Sequence, residues 1–169
     1  MRKSLDFLYD SAAALAALFM VGLLAMVLLS IVGRQLHINV PGIDAYAGYL
    51  MAGCGFLALA HTLKRGEHIR VTLILQFLPS QARRWMERWA MAAGALLALL
   101  FAYYSCRLVW QSLEFHDIST GNDATPLWLP QLSMAIGALV FAVASIDEFV
   151  IEWRGRPIRS EDAEALRHE

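Results

Sequence analysis

Four stretches free of Asp, Glu, Lys and Arg punctuate this sequence, at residues 11–33, 45–63, 89–106 and 124–146. Each is predominantly apolar and falls within the ~17–25 residues that a helix needs to cross the hydrocarbon core of a bilayer. Strands offer no alternative, because open sheet edges do not survive in lipid. The pattern predicts an all-α integral membrane protein with four transmembrane helices at those positions. The first stretch follows Met1, Arg2 and Lys3 much as a signal peptide would. It exceeds the roughly 7–15 residues of a signal h-region and no A-x-A cleavage site closes it, so we expect it to stay as an anchor.

The segment between the second and third stretches has a different rhythm. "IRVTLILQFLPS", residues 69–80, is too interrupted to cross a membrane and too apolar to be solvated. Ile69, Leu73 and Phe77 recur at helical spacing, and Val71, Ile74 and Leu78 widen the apolar side. This predicts an amphipathic interfacial helix over about residues 69–78, with Arg70 and Gln76 toward headgroups. Docking on another membrane protein is a compatible use of the same face. Pro79 ends that helix, and Ser80 is placed to cap the next. The membrane domain then spans residues 1–153, followed by a polar tail over 154–169.

Charge supplies the orientation. Of the 14 Lys and Arg, only Arg34 and Arg107 fall in the first and third loops. The others lie at the N-terminus, in the second loop and in the tail. Positive loops stay cytoplasmic, so both termini are expected on the cytoplasmic side of the membrane. Trp85, Trp89, Trp110, Trp128 and Trp153 all sit near span ends, where amphipathic rings favour the headgroup layer.

Composition agrees: 58% of residues are hydrophobic and 17% charged, below the roughly 25% charged of soluble domains. Mean hydropathy is +0.49. A net charge of −1 and no basic stripe give no reason to expect a nucleic-acid partner. Cys54 and Cys106 lie in apolar stretches without a CxxC or Cys/His neighbour, and read as small packing residues.

Candidate chemistry concentrates in "HTLKRGEHIR", residues 61–70. Its spacing matches neither H-E-x-x-H nor H-x-x-E-H, and Glu67 and His68 would point about 100° apart on a helix. Haem between helices needs inward histidines on facing spans, and only His61 lies within one. No metal or cofactor is expected. Lys64 and Arg65 instead suit the negative end of span two and lipid phosphate, with Gly66 as the residue that terminates the helix. Glu67 can pair with Arg65 or Arg70. His61 reads as a hydrogen-bonded interfacial side chain rather than a proton relay. The spans hold no charged side chain of the kind that solute pathways retain. Nucleophile elbows and phosphate-binding glycine loops are also missing, so no enzyme activity is expected. What the spans do hold is small-residue spacing that lets helices approach closely: Gly48 with Ala52, Ala90 with Gly94 and Ala98, Ala138 with Ala142.

Two stretches resemble a known family. "KRGEHIRV" (64–71) follows span two, and "TPLWLP" (125–130) leads into span four after a polar loop. Together with the four-span plan and chain length, they make the chain similar, over about residues 5–153, to the small membrane subunit of tripartite ATP-independent periplasmic (TRAP) transporters. The resemblance implies a non-catalytic partner of a large transport subunit. That larger protein would move an organic anion, such as a carboxylate or sialic acid, together with sodium, after delivery by a periplasmic binding protein. Lys64, Arg65, Glu67, His68, Arg70, Arg83 and Arg84 would then contact phospholipid or the large subunit at the inner face. Glu114, Asp117, Asp123 and Trp128 would meet the binding protein at the outer face, unless that loop is simply solvated. The rival readings are an anchor or assembly subunit of another inner-membrane complex, and a self-sufficient homo-oligomeric transporter.

Overall fold

The computed structural model describes residues 2–38, 40–64, 79–121 and 123–153. Four long helices make up nearly all of it: α1 (Arg2–Gln35), α2 (Ile43–Lys64), α3 (Ser80–Glu114) and α4 (Trp128–Trp153). All four are long and apolar enough to cross a membrane. Among the described residues there is no strand, only an isolated bridge between Ile118 and Pro126. The expected interfacial helix at 69–78 and the tail lie outside the described residues.

The helices outrun the uncharged stretches that announced them. α1 takes in Asp6 and Asp10, and α3 takes in Arg83, Arg84 and Arg88 before its apolar part begins. Charged residues end a hydrocarbon span without ending a helix, and Arg is a good helix former, so the backbone bonding continues into the headgroup layer. α4 starts at Trp128 rather than 124. Ala124 has φ +46°, which an α-helix cannot include. Pro130 sits in the first turn, where a missing N–H costs nothing. One expectation is corrected at α3: the N-cap is Pro79, in extended conformation (φ −60°, ψ 148°), not Ser80. The Pro79 carbonyl takes the first helical bond from Arg83 N at 3.0 Å, so Ser80 is already inside the helix.

In space the helices run α1, α2, α4, α3, each packed on the next. α4 is the central element and α1 a peripheral one: 39% of α4's most apolar window is buried, against 6% of α1's. Small residues make the close contacts, as expected where lipid supplies no hydrophobic drive for helix pairing. Ala98 and Ala102 of α3 meet Ala138 and Ala142 of α4. At the α2–α4 crossing, a Cβ on Gly137 would lie 2.6 Å from the Phe56 carbonyl carbon, so only glycine fits. Phe56 and Phe101 stack at 5.7 Å and link α2 to α3. Tyr9 and Ala12 of α1 share a cluster with Ala60 of α2 and with Val140 and Ala144 of α4. The remaining small-residue positions, Gly48, Ala52, Ala90 and Gly94, face outward, and both glycines border open space. Trp85, Trp89, Trp110 and Trp153 are 62–74% exposed.

Candidate functional site: the two polar ends of the helix row

The antiparallel order gathers polar side chains at two ends, one marked by Lys64 and the other by Asp123. At the Lys64 end, the last turn of α2 projects its ammonium between α1 and α4. Nζ lies 2.6 Å from Asp6 Oδ1 and 3.8 Å from Asp147 Oδ2. It also sits 4.3 Å from the centroid of the Tyr9 ring, a cation–π contact. His61, one turn earlier, places Nδ1 3.8 Å from Asp10 Oδ1. Glu148 is 9% exposed beside this group, and Tyr9 is 1% exposed with no hydrogen-bond partner for its hydroxyl among the described residues. On α3, Arg83 Nε meets Glu87 Oε1 at 2.9 Å one turn away. Arg88 lies 5.6 Å from the Trp153 ring, joining α3 to α4.

Of the seven residues expected at this face, Lys64 and Arg83 are placed with their side chains. Arg84 lies in the early part of α3. Arg65, Glu67, His68 and Arg70, with the proposed terminator Gly66, fall outside the described residues. Lys64 has its charge engaged within the chain. The partners that engage it, Asp6, Tyr9 and Asp147, were not singled out in the sequence. A signal existed: in a four-span plan the start of span one and the ends of spans two and four share one side, so Asp6, Asp10, Asp147 and Glu148 belong with Lys64.

At the Asp123 end, two helices stop in the same way. α1 closes with Ile38 N donating to Gly33 O (2.9 Å) and His37 N to Arg34 O (3.4 Å), with His37 at φ +56°. α3 closes with Asp117 N donating to Ser112 O (3.0 Å), with His116 at φ +54°. These are left-handed terminators of the kind usually filled by glycine. The chain after α3 then folds on itself: Ser119 N donates to Thr125 O (2.8 Å) and Leu127 N to Asp117 O (3.0 Å).

Asp123 is the knot of this end. Its Oδ1 accepts from Ser119 Oγ at 2.8 Å and its Oδ2 from Tyr49 Oη of α2 at 3.0 Å. Thr125 Oγ1 and Tyr46 Oη lie 3.1 Å apart, a second link to α2. Hydrogen bonding from Thr125 first, then from Ser119, its own backbone and Tyr49, outweighs partial burial and draws the Asp123 carboxyl from 3.8 down to about 2. Glu114 and Asp117 remain exposed, as does Phe115, while Trp128 is half-buried at the start of α4. Of the four residues expected here, then, Asp123 has both oxygens engaged within the chain and the other two acids face outward. Tyr46, Tyr49, Ser119 and Thr125 were missed. Two tyrosines three residues apart at the start of span two were the available hint.

Among the described residues, no three His, Cys, Asp or Glu side chains gather in a way that could hold a metal ion. Cys54 and Cys106 are free and half-buried.

A family model described as "Tripartite ATP-independent periplasmic transporters, DctQ component" matches residues 23–155, most of the chain. The chain belongs to the DctQ family. It is accordingly the small membrane subunit of a TRAP transporter, a multi-pass membrane protein of a transport system rather than of an enzyme family. Members of this family work with a large membrane subunit and a binding protein. No curated protein matches the chain.

Proposed function

We propose that this DctQ chain is a non-catalytic brace: it scaffolds the large transport subunit in the bacterial inner membrane and helps dock the periplasmic binding protein. The transported solute is an organic anion such as a carboxylate or sialic acid, and the driving ion is sodium. The observation that carries this reading is the family match to a chain whose uncharged stretches offer a passing ion or anion no charged group.

The Lys and Arg distribution supports the orientation, with both termini and the Lys64 end cytoplasmic and the Asp123 end periplasmic. In that frame Lys64, Arg65, Glu67, His68, Arg70, Arg83 and Arg84 serve inner-leaflet phospholipid and the large subunit. Because Lys64 is already held by Asp6, its share is to fix the end of α2 from which residues 65–78 depart. Glu114, Asp117 and Trp128 serve the binding protein, with the two exposed acids orienting a basic patch on it.

The test is reconstitution. Vesicles holding the large subunit with this chain and its binding protein should take up the anion on a sodium gradient. Omitting this chain should abolish uptake, and Arg65→Ala with Glu67→Ala should weaken co-purification. Solute movement by this chain alone in vesicles would overturn the proposal.

A further inference from the structure

We infer that Asp123 is a positioning residue: its carboxylate straps the 115–127 loop onto α2 and thereby sets where Glu114 and Asp117 stand. The strap itself needs no partner protein; its consequence for association rests on the docking role proposed above.

Three separate pieces of chain meet at this one side chain. Ser119 belongs to the loop, Tyr49 to α2, and each gives its hydroxyl proton to a different oxygen. Gly42, in the α1–α2 connection, presses against the other side: a Cβ there would lie 2.6 Å from Asp123 Cβ. Its φ of +78° is one that other residues adopt only under strain. The two backbone bonds that close the loop, Ser119 to Thr125 and Leu127 to Asp117, bracket Asp123 in sequence. The Asp117 carbonyl takes part in the second, so the exposed acid is attached to the strapped backbone. A loop of this length would otherwise sample many conformations, and ordering it beforehand removes that cost from association. Because each oxygen accepts a bond from within the chain, the carboxylate acts here on its own loop before it acts as a docking contact. It is well placed to hold the residues that make such contacts.

Two readouts on the full-length chain in lipid nanodiscs separate strap from contact. Hydrogen exchange should show the Ser119 and Leu127 amides opening about tenfold faster or more in Asp123→Asn, with α2 and α4 amides unchanged. Tyr49→Phe, which removes one donor and keeps the acid, should give a smaller rise at the same amides. Association of the binding protein with the complex of large subunit and this chain should slow in Asp123→Asn at low and high salt alike, since the loss is conformational. The slowing caused by Asp117→Asn should vanish at high salt, since it is Coulombic. Unchanged exchange in Asp123→Asn overturns the strap whatever association does. Faster exchange with undiminished association at high salt overturns its positioning role. If the wild-type complex binds no such protein, the docking proposal fails, and exchange alone still decides the strap.

Discussion

The two ends of this helix row are held by opposite chemistry. At the Asp123 end, neutral hydroxyls converge on one carboxylate and fix a loop. At the Lys64 end, one ammonium spans two carboxylates and a ring, and fixes a helix. The difference follows what each end has to hold. A loop has many conformations, and directional hydrogen bonds select one of them. α1 is already a rigid rod with few buried side chains along its length, so a less directional charge suffices to keep its start against α2 and α4. The ammonium also suits a place where Asp6, Asp147 and Glu148 crowd a buried Tyr9.

Replacing that ammonium should produce the largest change. Lys64→Met keeps most of the apolar stem of the side chain but leaves Asp147, largely out of water, near Asp6 without the ammonium that lies between them. The expected loss is about 1–2 kcal/mol, less than for a fully buried pair because Asp6 is half exposed. Thermal unfolding in nanodiscs should show it, with faster exchange over residues 7–12 and none at Ser119. Adding Asp6→Asn to Lys64→Met should cost less than the two single changes together, as expected of coupled partners. Full additivity would mean the clamp is not there.

How much of this was legible beforehand depends on how far a signal reaches along the chain. The four spans are local patterns, and the helices cover them except at residues 124–127, before α4 begins. The packing order is not local. Gly48–Ala52 and Ala138–Ala142 have the same spacing, yet the first faces outward and the second forms the α3–α4 seam. Spacing shows that a helix can be approached closely, not by what. Lys64 was recognisable as the residue where a helix leaves the bilayer, but its Asp6 partner is 58 residues away. Asp123 read as an outward charge because charge patterning does not register hydroxyls, and Tyr49 lies 74 residues back. The helix terminators were missed for another reason: glycine was the expected signature, and His37 and His116 fill the role instead.

Salt should separate the ends next. Raising ionic strength from about 0.05 to 1 M shrinks the screening length to about 3 Å. Exchange near Tyr9 should accelerate severalfold while Ser119 and Leu127 stay protected. Equal acceleration at both ends would erase the distinction drawn between them.

Acid should act at the Asp123 end with a definite sign. The folded carboxyl titrates at about 2, below its ordinary 3.8. A depressed acid stabilises the fold in full above its unfolded value and loses that contribution as pH falls through the folded one. Loop protection, after correction for intrinsic exchange, should be flat from pH 7 to about 4 and decline from there toward 2. In Asp123→Asn the decline should disappear. A wild-type loop that loosens already between pH 6 and 5 would mean another group holds it.

The smallest effects belong to the two histidine terminators, and here the Asp123 end divides within itself. An L-residue in the left-handed region costs roughly 1–2 kcal/mol, and glycine avoids this at an entropic cost of roughly 0.5–1 kcal/mol. His37→Gly should therefore stabilise the end of α1 by about 0.5 kcal/mol, seen as slower exchange of the Ile38 amide. His116 differs in one bond: its Nδ1 donates to Glu114 O at 3.2 Å, capping a carbonyl that α3 leaves over. His116→Gly loses that bond, so its gain and loss should cancel within a few tenths of a kcal/mol. If both substitutions stabilise equally, the imidazole at His116 contributes nothing, and the two terminators are alike after all.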